Sequence, residues 1–232
     1  MLRTDRQALS DGLRDGIPIG LGYFVVSFTL GIVARNVGLT PFEGFITSFF
    51  NNASAGEYAA FTVMAADASY MEMALITLVA NARYMLMSAV LSQKFDTSTP
   101  FYHRILVGFD VTDEIFGISV ARPGKLNPFY NYGAMLVALP GWSVGTALGV
   151  VAGNILPLAA ISALGVALYG MFLAIIMPPA RSDRVILIAI AASFAMSFVA
   201  EQFFGGISAG TRTIVLTVLI AGIAAALRPI KD

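Results

Sequence analysis

The stretch Asn51-Asn52-Ala53-Ser54-Ala55-Gly56-Glu57 separates two ten-residue apolar segments, Pro41–Phe50 and Tyr58–Asp67. Neither segment alone can cross a hydrocarbon core about 30 Å thick, which takes roughly 20 helical residues. The helix is therefore expected to break at membrane depth. Backbone freed by a break cannot face lipid unsatisfied, so it is tolerated only inside protein or along a wet cavity. In transporters such breaks hold substrates.

The interruption also carries a helix start. Ser54-x-x-Glu57 fits a capping box, with the Ser54 side chain accepting from the N–H of residue 57 and Glu57 reaching back to the N–H of Ser54. A helix N-terminus here presents free N–H groups and the positive end of a dipole, a seat for a carboxylate. The plainer alternative is that Ser54 and Glu57 only cap and that Asn51 and Asn52 are helix-end residues on a loop.

Composition supplies the membrane. Of 232 residues, 57% are hydrophobic and only 12% charged, against roughly 25% charged in soluble domains; mean hydropathy is +0.79. No repeated alternation of the barrel type occurs, and the apolar runs are long and rich in Leu, Ala, Ile, Val and Gly. The expected fold is an all-α polytopic membrane protein of about six to eight transmembrane helices. It is read as one integral membrane domain over residues 1–232, with possible repeat halves 1–121 and 122–232. A formal net charge of zero leaves no basic footprint for nucleic acid. The absence of cysteine excludes disulfides, iron–sulfur centres and thiol catalysis, and a single histidine, His103, argues against a histidine-based metal site. No cofactor or metal is expected. The N-terminal Arg3, Asp5, Arg6, Asp11, Arg14 and Asp15 read as a cytoplasmic amphipathic lead-in.

The first span is expected from about Pro18 to Ala34, preceded by Gly12, Gly16 and Gly20 on one face. Thr40-Pro41-Phe42-Glu43 opens the broken element with a second capping box, and Ser69-x-x-Glu72 opens the next span, about Tyr70 to Gln93. That span carries Asn81 and Arg83 near its middle. Arginine there costs at least about 2.5 kcal/mol without a partner or a route to the surface. Glu57 and an acidic cluster in Phe101–Ala121 are the available partners. The cluster, Asp110, Asp113 and Glu114, falls at i, i+3 and i+4, so on one helix the three share a face and one of them could exchange protons near neutrality; the plainer alternative is a solvated cytoplasmic hairpin on which these acids only cap.

Further candidate spans are Phe129–Gly153, Leu156–Ile176, Val185–Ala200 and Thr211–Leu227. The first holds Gly141, Gly145, Gly149 and Gly153 at four-residue spacing, a stripe that lets another helix approach closely, from within the chain or from a partner. Gly31-Ile-Val-Ala-Arg35-Asn36 and Gly149-Val-Val-Ala-Gly153-Asn154 match, and each precedes a proline-started segment. This hints at duplication. Placing Arg3, Arg6, Arg14, Lys94, Arg104, Arg122, Lys125, Arg181, Arg184, Arg228 and Lys231 on the cytoplasmic side puts both termini inside. It also favours a re-entrant hairpin at Pro41–Asp67; if that element crosses, Phe101–Ala121 must cross too.

These motifs resemble the AzlC-type large subunit of branched-chain amino acid exporters. The likeness runs through Pro41–Tyr58 with its Ala-Ser-Ala-Gly break, Asn81-x-Arg83-Tyr84, Thr112-Asp113-Glu114-x-Phe116, and Trp142-x-x-Gly145-Thr146-x-x-Gly149. The resemblance implies efflux of valine, leucine, isoleucine and sometimes methionine across the cytoplasmic (cell inner) membrane, with a small AzlD-type membrane subunit. Two positions depart from the family pattern: Glu57 stands where glutamine is usual, and Ala167-Leu168 where an acidic residue is frequent.

The expected protein is thus a transporter and not an enzyme, with a passive channel for small organic solutes as the alternative. Substrate contacts are assigned to Asn51, Asn52, Ser54, Gly56 and Glu57, with apolar walls from Phe49, Phe50 and Trp142. Glu57 or Asp113 would meet the ammonium. The charge network is Arg83, Asn81, Asp110, Asp113 and Glu114, with Asp113, Glu114 or Glu57 coupling transport to protons.

Overall fold

The computed structural model describes residues 3–153 and 155–157, scattered positions from 159 to 181, and residues 183–207 and 209–227. Most of the expected span Leu156–Ile176, with Ala167 and Leu168, lies outside the described residues. Among those described, the chain is an all-α membrane protein. Four helices are long and apolar enough to cross a bilayer, Thr4–Asn36, Tyr70–Lys94, Pro128–Ala152 and Arg184–Phe203, beside shorter apolar ones.

The first helix, α1 (Arg3–Asn36), absorbs the charged lead-in and carries Pro18 inside it. The extension is held from outside: Asp5 accepts from the Asn127 amide at 3.0 Å, and Asp11 pairs with Arg122 at 3.0 Å. Next come α2 (Pro41–Asn51) and α3 (Ser54–Ala65). The capping box at Thr40 forms as expected: the Glu43 N–H donates to Thr40 Oγ1 at 3.3 Å and the Thr40 N–H to Glu43 Oε2 at 2.8 Å. Between α2 and α3, Asn52 closes α2 in the left-handed conformation with φ 33°. Asparagine is among the few side chains that tolerate this region. The helix is broken where the hydrophilic stretch lies.

After α4 (Tyr70–Lys94), the segment expected as one helix over Phe101–Ala121 is two: α5 (Phe101–Phe109) and α6 (Asp113–Ala121). Thr112 caps α6, accepting from the Ile115 N–H, with Asp113 and Glu114 in the first turn where the dipole favours acids. The pair α5–α6 turns back on itself. At the start of α5, Arg104 donates to Ser92 Oγ at 2.7 Å and to the Asp96 carbonyl at 3.1 Å. At the end of α6, the Val120 carbonyl accepts from Lys94 at 2.9 Å. Both outer ends of the segment therefore rest on residues 92–96. Val107, before the bend, and Val111, within it, pack with Leu91, Phe95, Leu126 and Tyr130.

The long helix α7 (Pro128–Ala152) follows, then α8 (Arg184–Phe203) and α9 (Ala209–Leu227), which pack on each other. The chain divides into two compact units, Met1–Glu57 with Asn81–Pro157, and Tyr58–Ala80 with Leu158–Asp232. In the second, Glu72 accepts from the Thr211 N–H at 2.9 Å.

In the first unit the glycine stripe of α7 serves an internal contact, the seam with α1. A Cβ on Gly16 would stand 2.8 Å from the Ala134 Cα, and one on Gly153 would stand 3.2 Å from the Arg35 Cβ. Numbering rises together along both helices, so they run parallel. Such backbone proximity is how helices associate where apolar burial gives no drive.

Candidate functional site

The α2–α3 break sets Glu57 inside the first unit. Its side chain is fully buried, as are Ser48 and Thr146, with Trp142 3% exposed. The expected capping box at Ser54 is not what holds Glu57. The Glu57 N–H donates to the Ala53 carbonyl at 2.8 Å, which makes Ser54 the first helical residue. The Glu57 carboxylate accepts instead from the Ser48 hydroxyl through Oε1 and from the Trp142 indole N–H through Oε2, the latter at 2.8 Å. Ser48 is in turn hydrogen-bonded to the Thr146 hydroxyl at 2.6 Å. A carboxylate taken this far from water survives only with such charge-assisted donors.

Trp142 extends the network. Its ring meets Tyr23 edge-on at 5.3 Å, and the Tyr23 hydroxyl donates to Glu114 at 2.5 Å. Neither Ser48 nor Tyr23 was singled out from sequence. Ser48 carried one usable signal, a small hydroxyl in an apolar half-helix close to the break; Tyr23 carried none.

The acidic triad does not share a face. The bend at Asp110–Thr112 separates its members, and each finds its own partner. Asp110, 1% exposed, accepts from the side-chain amide of Asn52, which is 6% exposed. Asp113 pairs with Arg83 at 2.8 Å, both side chains 42% exposed. Arg83 also reaches the Tyr84 hydroxyl at 3.3 Å and lies over that ring. Glu114 takes Tyr23, as above. The two helix breaks are consequently bonded to each other, Asn52 to Asp110.

Asn51 accepts from the Asn81 amide at 3.2 Å. Gly56 is the spacer that admits Asn81, for a Cβ there would stand 2.7 Å from the Asn81 Cγ. Of the proposed apolar walls, Trp142 is in the network. Phe50 is not: it is 68% exposed, pointing away from the buried cluster because it follows Ser48 by two residues, over half a helical turn. Phe49 stacks with Phe45 and meets Phe109 at 6.2 Å. Among the described residues, four buried side-chain polar atoms have no hydrogen-bond partner: Asn52 Oδ1, Asn81 Oδ1, Asp110 Oδ2 and Asn131 Oδ1.

A family model described as AzlC protein matches residues 18–156. Among curated relatives, an uncharacterized membrane protein of Archaeoglobus fulgidus is 31% identical over 176 residues, covering 75% of this chain and 77% of the relative. The inner membrane protein YgaZ of Escherichia coli is 26% identical over 148 residues, covering 62% of this chain and 60% of that protein. An uncharacterized membrane protein of Helicobacter pylori is 23% identical over 151 residues, covering 64% and 65%. No solved structure matches the chain.

Proposed function

The chain belongs to the AzlC protein family, and on that premise we propose that it is a secondary transporter exporting small apolar amino acids such as valine, leucine or isoleucine across the cytoplasmic membrane. One observation carries the reading: Glu57, fully enclosed, accepts from Ser48 and Trp142 beside a break in the α2–α3 element. An enclosed carboxylate in an apolar span is costly and is kept for function. The first turn of α3 leaves backbone N–H groups without helical acceptors, a fit for the substrate carboxylate. Asn51 and Asn52 add polar contacts. Glu57 and the acids of α6 couple export to protons, with Arg83 exchanging partners during the cycle. A small AzlD-type membrane subunit completes the transporter, and both termini are cytoplasmic.

Orientation supports this arrangement. With α1 and α7 parallel and α5–α6 re-entering, a single crossing by α4 returns the chain to its starting side only if α2–α3 re-enters as well. The two broken elements then enter from opposite faces.

The test is reconstitution of the full chain, with and without the small subunit, and measurement of labelled valine flux under an imposed pH gradient. Saturable, gradient-driven flux with counterflow is expected and would exclude a passive channel. Flux that neither saturates nor responds to the gradient would sink the proposal, and unchanged flux in Glu57→Ala would reject the site.

A further inference from the structure

Of the two buried carboxylates in the first unit, Glu57 has donors on both oxygens and Asp110 on one only. Asp110 Oδ2 has no partner, and neither has Oδ1 of Asn52, whose amide nitrogen is spent on Asp110. Both residues are more than nine-tenths buried. Buried acceptors normally find donors, so an excess of acceptor oxygens at one place points to a ligand that brings positive charge.

The backbone adds to the field. Asn52 closes α2 and Asp110 closes α5, so two helix C-termini converge where these side chains meet. Each C-terminus carries about half a negative charge in its unsatisfied carbonyls. The carboxylate, the amide oxygen and the carbonyl ends are all hard oxygen donors, the set that suits alkali and alkaline-earth ions or an alkylammonium. A single carboxylate balances a single positive charge.

We propose that the joint between the two helix breaks, Asp110 with Asn52, binds a monovalent cation. Its chemistry is met either by sodium ion or by the ammonium group of the transported amino acid. The inference rests on the transport reading for its purpose, while its test reads binding and needs no flux.

The full chain in lipid nanodiscs is assayed for radioactive sodium binding, with choline holding ionic strength. In a second arm, labelled valine is bound in sodium-free buffer. Saturable sodium binding that is lost in Asp110→Asn assigns the inorganic ion; valine binding without sodium that is lost in the same variant assigns the ammonium. Asn52→Ala, which removes one oxygen, should weaken whichever binding is seen, and it supplies the comparison if Asp110→Asn does not fold. Wild-type chain that binds neither, or binding that survives intact in a folded variant, overturns the site. Failure here with normal valine flux leaves the transporter standing; binding here without flux does the reverse.

Discussion

Gly31 of α1 and Gly149 of α7 meet backbone to backbone: a Cβ on Gly149 would stand 2.9 Å from the Cα of Gly31. Gly149→Leu forces the seam apart and should cost about 1–3 kcal/mol or more, since backbone cannot yield as a flexible side chain does. Gly22→Ala, on the same helix α1 with nothing within 4 Å of its Cβ, should be neutral or gain about 0.5–1 kcal/mol. Thermal melts of the two purified variants in one detergent check the contrast. Equal melting temperatures would show that the seam bears no packing load.

Trp142 is the donor that Glu57 Oε2 depends on. Trp142→Phe leaves that buried oxygen unmatched and should lower stability by about 1–3 kcal/mol, with transport falling alongside. Glu57→Gln should behave differently. The amide oxygen accepts from the indole and the amide nitrogen donates to Ser48, which passes its own proton to Thr146. That variant should melt close to wild type while its efflux no longer depends on the pH gradient. Comparing melting temperature and gradient dependence in both variants separates the structural role from the coupling role.

Arg83 and Asp113 pair across 2.8 Å. Either single reversal, Arg83→Asp or Asp113→Arg, replaces attraction by like-charge repulsion and should lower accumulation in the membrane. The double reversal should recover membrane accumulation that the singles lose. Immunoblots of membrane fractions read this directly; singles that accumulate normally would show that the pair is dispensable for folding.

Phe50 faces outward. Phe50→Ala should therefore leave the concentration for half-maximal valine flux within about twofold of wild type, as for surface substitutions generally. A larger shift would return Phe50 to the substrate wall.

The break at Asn52 was legible because two asparagines and a Ser-x-x-Glu pattern interrupt apolar runs too short to span. The fate of Glu57 was not. A capping box is a local pattern, and indole and hydroxyl donors distant in sequence outcompete it for the same carboxylate. The acidic triad shows the opposite fault. Helical periodicity grouped the three acids, although Thr112 followed by Asp113 and Glu114 is itself a helix-start signature that calls for a bend before it. Which residue would meet Asp110 could not be read from spacing, since Asn52 lies on another broken helix. The glycine stripe announced a close contact and left its partner open; only α1, with glycines in matching register, resolves it.

The outer ends of the α5–α6 hairpin share one foot, the few residues Ser92–Asp96. Nine residues of α5 make an arm of roughly 13 Å from that foot to Asp110. The far end is tied separately, Asp110 to Asn52, Asp113 to Arg83 and Glu114 to Tyr23, so the hairpin is pinned at both ends like a strut.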